Sequence, residues 1–297
     1  MMVDIHLHTY FIPGLPRNDQ GDNYASPEEL IAVMDRTGVD KGILLPGASP
    51  ECRTQQTTPP ELALEVVSRY PDRFYAFCNV DPRAEKNDPE ADLSRHLVYY
   101  KERGCKGVGE ITANLYFDDP LVFNLFRHCR DTRMPVLFHM APRQGGYYGL
   151  VDDLGLPRLE KALAAFPDLP FLGHSQPFWA EVSGDLREDL RNRYPPGPVA
   201  PGGAVPRLLE EYPNLYGDLS AGSGFNAVSR DPDWGCAFLD RFQDRLLLGT
   251  DICSPKNDMQ HAPHLRRLRD EGRLSEEAFD KIAWRNADRL LGLGLGG

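Results

Sequence analysis

The feature that most restricts how this 297-residue chain can fold is an alternation, repeated eight times, of a short apolar run and a longer amphipathic stretch. The short runs cover residues 3–8, 42–46, 74–80, 105–111, 135–139, 171–174, 215–219 and 246–251. Several are nearly continuous in apolar residues, as strands buried on both faces of a parallel sheet must be. The stretches between them carry helix signals. Ser26-Pro27-Glu28-Glu29 predicts an N-cap, proline at the first helical position and Glu at the third. Leu30, Ile31, Val33 and Met34 supply the apolar stripe, and Gly38 marks the stop. Further helices are predicted over 60–70, 89–103, 120–133, 157–166, 205–212, 235–242 and 275–291. Strand–helix alternation of this length predicts a parallel α/β sheet, and eight units predict closure into a (β/α)8 TIM barrel.

Barrels of roughly 250 residues are routinely one domain, and no repeat, low-complexity tract or linker divides this chain. Residues 1–297 are therefore expected to form a single domain. The segments 47–59, 140–155 and 175–203 are long and follow strands, which places long loops at the C-terminal face of the barrel as walls or lids. Residues 175–204 are expected to be a lid or insertion loop. A short helix is expected over 178–193, followed by Pro195-Pro196-Gly197-Pro198 and Gly202-Gly203.

Charge and composition exclude some partners. The net charge of −11 repels phosphate backbones, so nucleic acid is not an expected partner. An anionic small molecule stays allowed, because a buried metal dominates its local field. No run approaches the ~20 apolar residues that span a bilayer, so no membrane association is expected. The start, Met1-Met2-Val3-Asp4-Ile5-His6, has no basic segment followed by an apolar one, which predicts a cytoplasmic protein. The six cysteines show no CxxC pair and are expected to be free thiols. Association into a homo-oligomer stays open.

The chemistry lies at the strand ends. His6 and His8 are two apart on the first strand, so period-two geometry points both rings to one face, the barrel interior. His139 ends the fifth strand, His174 the sixth and Asp251 the eighth. Polar residues at the C-terminal ends of several barrel strands converge on one point, where barrel active sites lie. Such imidazole and carboxylate donors suit one or two zinc ions, with manganese or iron as alternatives. Glu110 ends the fourth strand in Gly107-Val108-Gly109-Glu110-Ile111, in register to join them as a ligand or to contact a ligand. Asp218, ending the seventh strand, is equally suited to orient a histidine or to cap a loop. Arg143, Tyr147, Tyr148, Trp179 and His261 lie in the mouth loops as candidate substrate contacts, although loop packing is the commoner role for each.

This set resembles the amidohydrolase superfamily. Gly173-His174-Ser175-Gln176-Pro177-Phe178-Trp179, Leu248-Gly249-Thr250-Asp251 and Asn286-Ala287-Asp288-Arg289-Leu290-Leu291-Gly292 are similar to its amidohydrolase-2 branch. That branch includes hydrolases, lactonases and aminocarboxymuconate-semialdehyde-type decarboxylases, and the resemblance spans essentially the whole chain. It implies one of two sites. In the mononuclear, decarboxylase-like arrangement His6, His8, His139 and Asp251 hold one metal, and His174 is a catalytic acid or base. In the binuclear arrangement a carboxylate on the fourth strand bridges two ions. Gly109-Glu110-Ile111 is similar to the corresponding stretch of TatD-type nucleases, and Glu110 stands where other members carry a carboxylated lysine. Lys106, on the same strand, is the less favoured bridge. The expected function is metal-dependent hydrolysis of an amide, ester or lactone in a small carboxylated molecule. Asp251 would move the proton, and His174 would ligate a second ion or stabilise developing negative charge. Non-oxidative decarboxylation of a small carboxylic acid is the alternative.

Overall fold

A computed structural model describes residues 1–12, 14–51 and 57–296; Cys52 and part of the 47–59 segment lie outside the described residues. The apolar runs form strands that pair in parallel: β1 (Val3–Leu7), β2 (Lys41–Leu44), β3 (Phe74–Ala76), β4 (Val108–Ile111), β5 (Val136–Ala141), β6 (Leu150–Val151), β7 (Phe171–His174), β8 (Leu215–Asp218) and β9 (Leu246–Leu247). One run of the sheet is β1-β2-β3 and the other β4-β5-β7-β8-β9, with β6 a short addition beside the end of β5. Two seams join the runs. Cys78 N–H donates to Gly107 O at 2.9 Å and Gly109 N–H to Cys78 O at 2.8 Å. On the other side Ile5 N–H donates to Leu248 O and His8 N–H to Ile252 O, both at 3.0 Å. The eight principal strands thus close into a (β/α)8 barrel.

Each principal strand leads into a covering helix: Pro27–Thr37, Pro60–Arg69, Ser94–Glu102, Pro120–Asp131, Pro157–Ala165, Ala204–Glu211, Pro232–Arg241, and Glu276–Asp280 continuing through Lys281–Arg285 to Asn286–Leu291. The first begins as its sequence predicts. Ser26 Oγ accepts Glu29 N–H, the Glu29 carboxylate accepts Ser26 N–H, and Gly38 closes the helix at φ 68°. The helix expected over 89–103 starts only at Ser94, after Asp92 Oδ1 accepts Ser94 N–H. Besides the four-residue turn of helix at Ala84–Asn87, two longer helices, Ala221–Ser229 and His261–Asp270, escape the sequence reading. The first is rich in glycine and serine, and neither carries a side-chain cap.

Inside the barrel, Val3, Ile5, Ile43, Leu45, Phe77, Leu137, Leu172 and Leu247 form the lower core. Their alternates, such as Val136, Phe138 and Phe171, pack outward in the larger core shared with the helices. Ile5 faces inward, so simple alternation would turn His6 outward. It does not, because β1 carries an irregularity: Asp4 pairs with Gly42 and Leu7 with Leu44, three steps against two. β4 repeats it, with Val108 opposite Val136 and Ile111 opposite Phe138. An extra residue of this kind re-aims the side chains beside it. His6 and Glu110 both lie within these irregular steps.

The segment expected as a lid over 175–204 departs from that reading. Instead of one helix over 178–193 it has a turn of helix at Gln176–Ala180 and a 3-10 turn at Glu188–Leu190. Phe178, Trp179 and Arg191 are buried. Arg191 Nε donates to Glu181 Oε1 at 3.1 Å, and its other nitrogens donate to Asp152 O at 2.6 Å and Asp153 O at 3.0 Å. Glu181 also accepts Gly155 N–H. A buried ion pair therefore ties this segment to the β6 region. The five described cysteines are free, as expected. No helix among the described residues is long and apolar enough to cross a membrane.

Arg191→Ala leaves Glu181 a buried, unpaired carboxylate. It should lower unfolding free energy by about 3–5 kcal/mol in denaturant titrations. Arg207→Ala, at the partly exposed pair with Glu160, should cost no more than about 1 kcal/mol. Equal losses would contradict the assignment of the first pair as the internal anchor.

Candidate metal centre

Six side chains meet at the C-terminal mouth: His6, His8, Glu110, His139, His174 and Asp251. Their ligand-type atoms fall into three overlapping groups, His6/His8/Glu110, His6/His174/Asp251 and Glu110/His139/His174, with the atoms of each group within 4.8 Å of one another. All but Asp251 are buried; the Asp251 side chain keeps 30% exposure.

Glu110 lies between two pairs of imidazoles. Its Oε2 is 3.7 Å from His6 Nε2 and 3.8 Å from His8 Nε2. Its Oε1 is 2.7 Å from His139 Nδ1 and 3.6 Å from His174 Nε2. Asn79 Nδ2 donates to the Glu110 carbonyl at 2.6 Å and to Pro46 O at 2.8 Å, fixing this stretch of β4 against the neighbouring strand ends. Gly109 precedes it at φ 149°, where a Cβ would strike the Leu137 carbonyl. Asp251 stands four residues beyond β9 at φ 60°, its N–H on His6 O at 2.9 Å. That turn brings Asp251 Oδ1 to 3.3 Å from His8 Nε2 and 3.7 Å from His6 Nε2.

The rings of His6 and His8 are each aimed by a bond at the far side. His8 Nδ1–H donates to Leu45 O at 3.0 Å. His6 Nδ1 is 2.6 Å from Asp218 Oδ2, and the carboxylate is fully buried. With both Nδ1 atoms so engaged, the two Nε2 atoms converge at 3.1 Å, a contact that either one proton on His6 Nε2 or a shared cation can bridge. The donor set therefore fits a metal ion: neutral imidazoles oriented by a carboxylate or a carbonyl, with carboxylates opposite. Burial acts to raise Glu110, but His139 and His6 outweigh it and hold the carboxyl well below the usual range. Burial also acts to lower His6, yet Asp218 and Asp251 keep it well above its ordinary value. His174 is pushed down to about 4 by burial and by the charge on His6.

Sequence reasoning missed part of this support. Ser220 contacts His174, His6 and Asp218 through one hydroxyl. Asp4 accepts His6 N–H and Thr250 N–H, both at 3.0 Å, and the Thr250 hydroxyl at 2.5 Å, joining β1 to the segment that carries Asp251. Its spacing from His6 and His8 (4, 6, 8) was the available signal. Gly249 has room for no side chain, since a Cβ would strike Asp218 Oδ1.

The mouth-loop candidates divide. The Tyr148 ring lies 4.4 Å from that of His139. Tyr147 and Tyr148 line a cavity of about 560 Å³ with Pro50, Glu51, Asn114 and two glycines. Arg143 is exposed and rests over Tyr147. Trp179 and His261 take the packing role that is the commoner one for loop residues. Trp179 is buried with Nε1–H on Asp218 O at 2.8 Å, and His261 Nε2–H donates to Ala221 O at 2.8 Å. Lys106 is also away from the site, its ammonium on Gly292 O at 3.0 Å.

Asp218→Asn removes the charge that orients His6. Chelator competition should then show zinc affinity lower by roughly 10- to 100-fold in a folded protein. Unchanged affinity would mean that Asp218 only caps its loop.

Comparison with known proteins follows the same lines. The amidohydrolase family profile matches residues 3–293. No curated protein matches the sequence. A 5-carboxyvanillate decarboxylase from Novosphingobium aromaticivorans, solved with manganese, is 18% identical with a TM-score of 0.64, covering 98% of this chain and 96% of its own. An amidohydrolase from Burkholderia multivorans with bound zinc is 15% identical at TM-score 0.64, covering 98% and 99%. A probable 2-pyrone-4,6-dicarboxylic acid hydrolase from Acinetobacter baumannii, with citric acid bound, is 13% identical at TM-score 0.56, covering 98% and 99%. With the barrel, the strand-end donor set and a profile that spans nearly its full length, this chain belongs to the amidohydrolase family.

Proposed function

We propose that the protein is a metal-dependent hydrolase that cleaves an amide, ester or lactone in a small carboxylated molecule. The observation that carries this reading is the place of Glu110, one oxygen toward His6 and His8 and the other toward His139 and His174. A carboxylate so placed could be shared by two cations, one held with His6 and His8 and the other with His139 and His174. Zinc suits these donors best. When bound, such ions would supply Lewis acidity and bring the pKa of water toward neutrality.

The chain's own residues supply the rest. Asp251 is the one partly exposed carboxylate of the set, so substrate and water reach it. It takes the proton of the attacking water and returns it to the leaving group. The cavity beside Tyr147 and Tyr148 has the size of a small-molecule site. A cation for a substrate carboxylate is also at hand. Arg17 lies over the Tyr24 ring at 4.8 Å, and Tyr24 packs against His8. Among the described residues Arg17 has no carboxylate within ion-pair distance.

A second reading has its own support. His6, His174 and Asp251 form a donor group without Glu110, whose Oε1 is already hydrogen-bonded to His139. A single ion there, holding a substrate carboxylate, suits decarboxylation, the activity of the manganese-bound relative.

Zinc-loaded protein should release acid, and no carbon dioxide, from at least one member of a panel of carboxylated lactones, esters and amides. Asp251→Asn should lower kcat on that substrate by roughly 10²- to 10⁴-fold. Carbon dioxide released from a small carboxylic acid, with every panel member left intact, would replace this reading with the second. Arg17→Gln should raise KM roughly 10- to 100-fold for the carboxylated substrate and leave a neutral analogue unchanged. An equal rise for both compounds would remove Arg17 from substrate recognition.

A further inference from the structure

Ser220 follows β8 by two residues and is fully buried at the back of the centre. Its Oγ is 2.7 Å from His174 Nδ1, 2.8 Å from Asp218 Oδ2 and 3.2 Å from His6 Nδ1. A serine hydroxyl has one proton to give. If that proton went to His174, the Ser220 and Asp218 oxygens would face each other at 2.8 Å with nothing between them. The arrangement without that repulsion sends the hydroxyl proton to Asp218. Ser220 Oγ then accepts from His174 Nδ1, which must carry its own proton. Asp218 Oδ2, 3.5 Å from the same nitrogen, favours the same assignment. Ser220 N–H donates to Asp218 Oδ1 at 3.1 Å, so this one carboxylate anchors both ends of the relay.

We infer that Ser220 is a positioning residue that sets the tautomer of His174, protonated at Nδ1 with the Nε2 lone pair facing Glu110 and the centre. A ring in that state binds a cation or takes a proton through Nε2. It cannot donate a hydrogen bond from that atom to a developing oxyanion. This removes one of the two roles open to His174 in hydrolysis and leaves ligation or proton acceptance. The chain Asp218–Ser220–His174 also ties this ring to His6 through a shared carboxylate. The consequence for chemistry rests on the proposed metal centre, whereas the tautomer itself does not.

The test is a long-range ¹H–¹⁵N correlation spectrum of protein labelled at its eight histidines, recorded zinc-loaded and after chelator treatment. His174→Gln identifies the resonance. The expected result is Nδ1–H at His174 in both states of the wild type and of Ser220→Thr, which keeps the hydroxyl. Ser220→Ala should lose that fixed tautomer in the chelator-treated protein and hold zinc roughly 10-fold less tightly or worse. An Nε2–H tautomer in the chelator-treated wild type, or an unchanged spectrum in Ser220→Ala, overturns the inference. A wild type that binds no zinc yet shows Nδ1–H at His174 sinks the metal reading and leaves the Ser220 assignment standing.

Discussion

The rest of the site depends on one electrostatic fact: a buried carboxylate, Glu110, held among four imidazoles. A carboxylate without water is costly unless positive charge or strong donors surround it. Glu110 meets that condition through groups from β1, β5 and β7, which are neighbours only because the barrel closes. The irregular steps in β1 and β4 place His6 and Glu110 on the inner face, where regular alternation would leave them turned away. Closure, the two local irregularities and the charge cluster are thus linked. Losing any one of them would separate the donors.

Around the donors lies a layer whose only evident work is aim. Leu45 O fixes His8, Asp218 fixes His6, Ser220 fixes His174, and Glu110 itself bonds His139. Asp4 pins the Thr250 turn from which Asp251 projects. Such partners set ring tautomers and orientations, and with them the strength and geometry of metal binding. Several backbone positions beside them are unusual: Ser175, Ala221 and Asp251 all have positive φ without being glycine. Residues held this way tend to cluster at functional sites because the surrounding structure over-determines them. Here they lie within four residues of the ends of β7, β8 and β9, where the chain turns beside the centre.

Much of this was legible in the sequence. Buried parallel strands need continuous apolar runs, so the eight runs revealed the barrel, and polar residues at their ends stood out as His6, His8, Glu110, His139, His174 and Asp251. What stayed hidden depends on relations across the sheet. Ser220 looks like any loop serine until β8 brings it between two histidines. Asp4 reads as a strand-start acid until Thr250 arrives from the far end of the chain. Loop position offers Trp179 and His261 either packing or substrate contact, and only the fold shows the packing partners, Asp218 O for the buried indole and Ala221 O for His261. The inward turn of His6 followed from spacing with His8, but its cause, a bulge against β2, is visible only in the pairing.

The proposed hydrolytic centre needs Glu110 shared between two cations. The measurement that meets it most directly is zinc per chain, by elemental analysis of protein purified without chelators, for wild type and Glu110→Gln side by side. The account predicts close to two ions in the wild type and one or none in the variant, with the fold of both intact. One tightly held ion in both proteins would contradict it and make the single-ion arrangement the better description of this site.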